Sequence, residues 1–146
     1  MEHGAETGGD GGAVSADLDG GDWTHHAKVR AREAGGELTI VVDGLTTQAK
    51  YYKPLIYEFF RKVWRGARPA WGEFSVEIGM EFVGDPPWMD LDNLAKALLD
   101  AIKGYAFHDD AQVARLLVER RPAERERIVI VVRKLDSRFL RSTLED

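Results

Sequence analysis

The sequence predicts a single α/β (α+β) domain, a mixed β-sheet with helices packed against it in the order β-α-β-α-β-β. Three observations predict it. Phe74, Val76, Ile78, Met80 and Phe82 alternate with Ser75, Glu77, Gly79 and Glu81, the two-residue period of a half-buried strand. Two other stretches carry their apolar residues at helical spacing instead. Ile128 to Val132 are five apolar residues in succession, a pattern typical of a central strand covered on both faces.

Taken in order, Glu37–Val42 reads as the first strand, stopped by Asp43-Gly44. Between Lys53 and Arg65 the residues Leu55, Ile56, Phe59, Phe60, Val63 and Trp64 form one helical stripe, with Gly66 as the stop. The alternating strand spans residues 73–83, and Gly84-Asp85-Pro86-Pro87 follows as a loop. Leu91, Leu94, Ala95, Leu98, Leu99 and Ile102 mark a second amphipathic helix ending at Gly104. Residues 113–121 read as a strand ended by Pro122, and residues 127–134 as the last strand.

Three regions are expected: a disordered acidic tail with a basic transition segment over 1–35, the folded domain over 36–135, and a C-terminal tail over 136–146. Residues 1–22 hold six acids and no Lys or Arg, too little apolar surface to offset ordering entropy. The net charge of −5 belongs to that segment, for the rest of the chain holds 20 basic and 19 acidic residues. Lys28, Arg30 and Arg32 make the transition. The chain has no cysteine, which excludes disulfides and thiolate metal sites. Any metal must therefore sit on carboxylates or histidines, and oxygen ligands favour hard cations such as Mg²⁺ or Mn²⁺. No apolar run reaches the roughly 20 residues of a membrane helix, and a cytoplasmic protein is expected.

The chemistry concentrates in residues 85–114, DPPWMDLDNLAKALLDAIKGYAFHDDAQVA. Asp90 and Asp92 bracket the start of the second helix, where one acid would suffice as a cap. Asp92, Lys96, Asp100 and Lys103 share its outer side, and a solvated ion-pair ladder accounts for them if the helix is taken alone. Asp109-Asp110 beyond the helix changes the balance. If residues 105–108 turn the chain back, Asp110 joins Asp90 and Asp92, and carboxylates so placed can share a site only around a cation. Mg²⁺ there would polarise a phosphodiester, and Lys96 would offset the charge that develops on it.

This stretch resembles the RusA-type Holliday junction resolvases. The residues that carry the likeness are Asp90-Leu91-Asp92-Asn93-Leu94, Lys96-Ala97, Asp100-Ala101, Phe107 and Asp109-Asp110-Ala111-Gln112-Val113, against the family pattern DLDNLxKAxxDAL followed by a glycine, an aromatic and DDAQV. The resemblance implies a Mg²⁺-dependent endonuclease, with Mn²⁺ a possible substitute, that nicks opposing strands of a four-way DNA junction in recombination and repair. It implies a homodimer. It also implies that Asp90, Asp92 and Asp110 are the metal-binding catalytic carboxylates and Lys96 the essential cation, with Asp109 in support and Asn93 shaping the helix start. Family members open with a Pro-Pro-Ser-Asn-like segment where this chain has VVDGLTTQAKYYK, so Lys50, Tyr52 and Lys53 are expected to supply DNA contacts in its place.

Arg115 joins those expected contacts, in a basic run with Arg120, Arg121, Arg125, Arg127, Arg133 and Lys134 that suggests a DNA-facing edge. Trp88, beside a proline turn, is expected to pack over the core edge, and His108 to be solvated. The competing reading is a non-catalytic module of the same fold that binds branched DNA, its acids serving as caps and ion pairs. A nucleotide-sugar transferase is a poor fit, for want of a Gly-rich turn after a strand and of chain length, and an EF-hand fails for want of the loop glycine and glutamate.

Overall fold

The computed structural model describes residues 18, 20–66 and 68–136. Six strands and two α-helices form the domain among the described residues. Strands β1 (Thr24–His26), β2 (Val29–Ala34) and β3 (Glu37–Asp43) come first, followed by helix α1 (Tyr52–Lys62). Then come β4 (Phe74–Phe82), α2 (Leu91–Ile102), β5 (Val113–Pro122) and β6 (Arg127–Lys134). One mixed six-stranded sheet has the order β1-β2-β3-β6-β4-β5. Neighbours are antiparallel except β4 and β5, which the α2 crossover makes parallel.

The β-α-β-α-β-β order from residue 37 stands, but among the described residues two strands precede it. The transition segment through Lys28, Arg30 and Arg32 is largely strand: Val29 and Ala31 turn inward and are buried, while Arg30 and Arg32 lie on the other face, both over the Trp23 ring at 4.9 and 4.5 Å. Only two small apolar residues mark the inward face, so the alternation reads as a charged linker. The domain therefore begins before residue 36. Residues 1–17 of the expected acidic tail and 137–146 of the C-terminal tail lie outside the described residues.

Both helices pack on one face of the sheet. Ile56, Phe59 and Phe60 of α1 and Leu94, Leu98 and Ile102 of α2 meet Ile40, Val76, Ile78, Met80, Ile128 and Ile130 in one buried cluster. α1 ends three residues sooner than its apolar spacing suggests, because Trp64 folds back to lie 5.8 Å from Phe59 and 6.0 Å from Phe60. α2 ends as expected, with Gly104 at φ +88°, a conformation glycine adopts at no steric cost.

Residues 127–132 are buried on both sides, as the unbroken apolar run predicts. On the second face Val41, Val129 and Val131 are covered by Leu18 and Trp23. β4 is also buried on this side, through Ser75 and Glu81. Glu81 accepts from Arg127 Nε at 2.7 Å, a buried ion pair.

Candidate active site

The two halves of the acidic motif are held by different means. The helical half depends on α2 alone. Asp90 occupies its N-cap position in extended conformation, and its carbonyl accepts from Leu94 N at 3.1 Å. Its carboxylate makes no capping hydrogen bond and is exposed, so the expected capping role falls to neither acid's side chain in the ordinary way. Asp92 sits in the first turn, with Oδ1 accepting from the adjacent Asn93 N at 3.0 Å. Lys96 follows one turn later and is exposed, with no ion-pair or hydrogen-bond partner among the described residues.

The loop half is built by a buried glutamine. After α2, Ala106 N returns to Ile102 O at 2.9 Å and Gly104 N to Phe107 O at 2.7 Å, closing a tight turn that buries Phe107. Gln112 then saturates its amide. Its Oε1 accepts from His108 N at 2.8 Å and Asp109 N at 2.9 Å, while Nε2 donates to Ala70 O and Gly72 O, both at 2.9 Å. Asp109 caps the one-turn 3₁₀ helix Asp110–Gln112, accepting from Ala111 N at 3.0 Å. The Asp109 carboxylate is thus taken up by the cap, and Asp110 is left exposed beside α2.

The return of the chain brings together part of the expected set. Asp92, Lys96 and Asp110 line one concavity of about 530 Å³ between α2 and β5, floored by Leu91, Ala95, Leu116 and Val118. Lys96 and Asp110 also line a second concavity of about 430 Å³, with Asn93, Asp100, Lys50 and Lys53. Lys96 and Asp110 therefore stand on the ridge between the two. Asp90 lines neither. Among the described residues, no group of three acids or histidines is placed to hold one ion, and of the three expected carboxylates Asp92 and Asp110 share a concavity. The donor chemistry still suits a hard cation, since Mg²⁺ is ordinarily held by one or two carboxylates plus substrate phosphate and water.

The expected DNA contacts divide. Lys50 is exposed, its Nζ 5.6 Å from the Tyr51 ring. Tyr52 is 2% exposed, and its hydroxyl accepts from Thr46 N at 3.1 Å, which takes it out of reach of a ligand. Burial raises its phenol pKa. Tyr51 is the exposed ring of the pair. Lys53 is half-exposed and pairs with Asp100 at 2.6 Å; that hydrogen bond raises the lysine pKa and lowers the aspartate's.

Arg115 lies on the sheet face away from the helices, donating to Ser75 Oγ and Glu77 Oε2, both at 2.9 Å. The period-2 alternation of β5 sends it opposite to Leu116, which faces the Asp110 concavity. Much of the expected basic edge is likewise paired within the sheet: Arg121 with Glu119, Arg127 with Glu81, Arg133 with Glu37. Trp88 does not pack over the core edge; it is 94% exposed. His108 is exposed but stacked on Trp71, with ring centroids 4.2 Å apart. Nothing in the sequence pattern singles out Trp71, because its place is set by contacts forty residues away.

With this geometry, the fold and site define an acidic, lysine-bearing surface site on a sheet-and-helix domain. A model of the endodeoxyribonuclease RusA family matches residues 45–133, more than half of the chain, and the chain belongs to that family. Family membership carries endodeoxyribonuclease activity in general and points to Holliday junctions as substrate. No curated protein matches the chain. The family match begins at residue 45, so β1, β2 and β3 all lie outside it. No helix among the described residues is long and apolar enough to cross a membrane.

Proposed function

We propose that this protein cuts branched DNA, four-way junctions above all, by hydrolysing one phosphodiester in each of two opposing strands. The observation that carries the reading is the shared concavity of Asp92, Lys96 and Asp110 in a chain of this family. Asp92 and Asp110 would hold Mg²⁺, or Mn²⁺ in its place, with Asp90 free at the helix start to add a ligand. The ion supplies a polarised phosphodiester and a water activated near neutral pH. Lys96 places its ammonium beside the scissile group and offsets negative charge as the water oxygen bonds to phosphorus and the sugar oxygen departs.

Lys50, exposed on the neighbouring concavity, grips the flanking phosphate backbone, and Lys53 does so when it exchanges Asp100 for a phosphate. Paired cuts call for two such sites, so the working unit is a homodimer acting in recombination and repair in the cytoplasm. The test is cleavage of a labelled four-way junction beside linear duplex, in Mg²⁺ and in EDTA. Paired Mg²⁺-dependent nicks confined to the junction are expected. Binding without cutting in either Mg²⁺ or Mn²⁺ would move the reading to a non-catalytic junction-binding module.

A further inference from the structure

Trp71 is 68% exposed, yet its ring is stacked and the backbone on both sides of it is hydrogen-bonded. Its neighbours in the chain, Ala70 and Gly72, both give their carbonyls to Gln112 Nε2. Gly72 makes the bend at φ +106°, where a side chain would be strained. One face of the indole lies on the His108 imidazole, at 4.2 Å and an interplanar angle of 19°. His108 N in turn is bound by Gln112 Oε1, the atom that also fixes Asp109 N. One buried amide therefore locks the stacked pair and the Asp109-Asp110 turn into a single unit.

A large apolar ring kept exposed is unfavourable unless it meets a partner, and this one is held so that one face is covered and the other open. Trp88 offers the contrast. It is 94% exposed, and no ring stacking or hydrogen bond anchors it among the described residues.

We propose that the open face of Trp71 is a stacking platform for an unpaired nucleobase at the branch point. The inference rests on the branched-DNA reading above and adds to it the feature of the substrate that is recognised. Bases in continuous duplex have both faces covered by their neighbours, whereas a base displaced at a branch has a free π-face. A platform rigidly joined to Asp110 registers the displaced base against the site that cuts. Stacking of this kind tolerates any base, so it reads branch structure in place of sequence.

The test uses the full chain in EDTA and a synthetic four-way junction carrying 2-aminopurine beside the branch point, with linear duplex as comparison. Wild-type protein is expected to change the 2-aminopurine fluorescence at one branch position. Trp71→Ala should lose that signal and bind the junction about ten-fold more weakly, with duplex affinity unchanged. Trp71→Phe should keep most of both. If Trp71→Ala lowers folding stability, Trp71→Phe against Trp71→Leu makes the same comparison at similar bulk.

Unchanged junction affinity and signal in Trp71→Ala overturn the platform, as does an equal loss on linear duplex or a loss carried by Trp88→Ala instead. The parent reading has a separate readout, Mg²⁺-dependent nicking by the wild type. Nicking with an indifferent Trp71 sinks only the platform, and a wild type that shows no junction preference sinks both.

Discussion

Replacing Gln112 by alanine tests whether the loop half of the site is held by one side chain. The substitution removes four hydrogen bonds, two accepted from the backbone of His108 and Asp109 and two donated to Ala70 and Gly72. At a net 0.5–1.5 kcal/mol each, discounted because the surroundings are only partly buried, the loss is about 2–4 kcal/mol. For a chain of this size that corresponds to a fall in Tm of roughly 6–12 °C. Asp110 should lose its fixed place beside Lys96, and misplacement of a reacting group by about 1 Å costs on the order of 10²-fold in rate. Gln112→Glu keeps both accepted bonds, loses both donated ones and sets an anion against two carbonyls, so it too should be destabilised. Thermal melts followed by circular dichroism and single-turnover cleavage of a four-way junction below the variant's Tm read the two effects separately. An unchanged Tm would refute the hydrogen-bond argument. A lowered Tm with unchanged cleavage would show that Gln112 serves the fold without positioning Asp110.

Asp92→Asn should abolish cutting while junction binding persists, and Lys96→Ala should lower the cleavage rate by about 10²–10³-fold; gel assays of binding and nicking on the same substrate check both. Glu81→Leu, which strands Arg127 without its buried partner, should cost about 3–5 kcal/mol in denaturant unfolding, whereas Glu81→Leu with Arg127→Met should come close to wild type. Leu18→Ala, which strips a buried side chain from Val41, Val129 and Val131, should cost about 1.5–3 kcal/mol in the same assay. The Lys53–Asp100 pair has a depressed aspartate and a raised lysine, so its small contribution should fade as pH falls through the lowered Asp100 pKa. It should fade again as pH rises through the raised Lys53 pKa. A pH series of melts on wild type and Asp100→Asn should show the two converging at both ends.

How much of the fold and site is legible in the sequence depends on whether a residue's place is set by its chain neighbours or by distant residues. The elements from residue 37 onward are readable because period 2 and period 3.6 are local: Phe74 to Phe82, Leu94 to Ile102 and Ile128 to Val132 each declare their faces. The hairpin β1–β2 is not, since its inward residues Val29 and Ala31 are too small and too few to stand out between arginines. The surroundings of Tyr52 and Arg115 are hidden for a related reason. Each has the right chemistry for DNA, but the turn of α1 buries the first, and the alternation of β5 sends the second to the far face. The arginine run after residue 114 suggests an edge for phosphate because the glutamate partners of Arg115, Arg127 and Arg133, namely Glu77, Glu81 and Glu37, come from strands remote in sequence.

The same distinction separates the halves of the site. Asp92 and Lys96 lie one helical turn apart, so their juxtaposition is guaranteed once α2 exists, and α2 exists because Leu94, Leu98 and Ile102 bury the opposite stripe. Asp110 has no such guarantee. It comes to line the same concavities as Lys96 because residues 103–107 close a tight turn, and because Gln112 pins the His108-Asp109 backbone to residues 70 and 72, ahead of β4. The motif's glutamine therefore does for the loop what periodicity does for the helix. The glutamine is buried and bonded to backbone on both sides, so its place in the pattern with the acids and the lysine is a structural one. It also ties Trp71 to the site, since the amide that fixes Asp109 and Asp110 holds the indole through both of its chain neighbours. A change at residue 112 should thus alter cutting and branch recognition together, whereas a change at Lys96 should alter cutting alone.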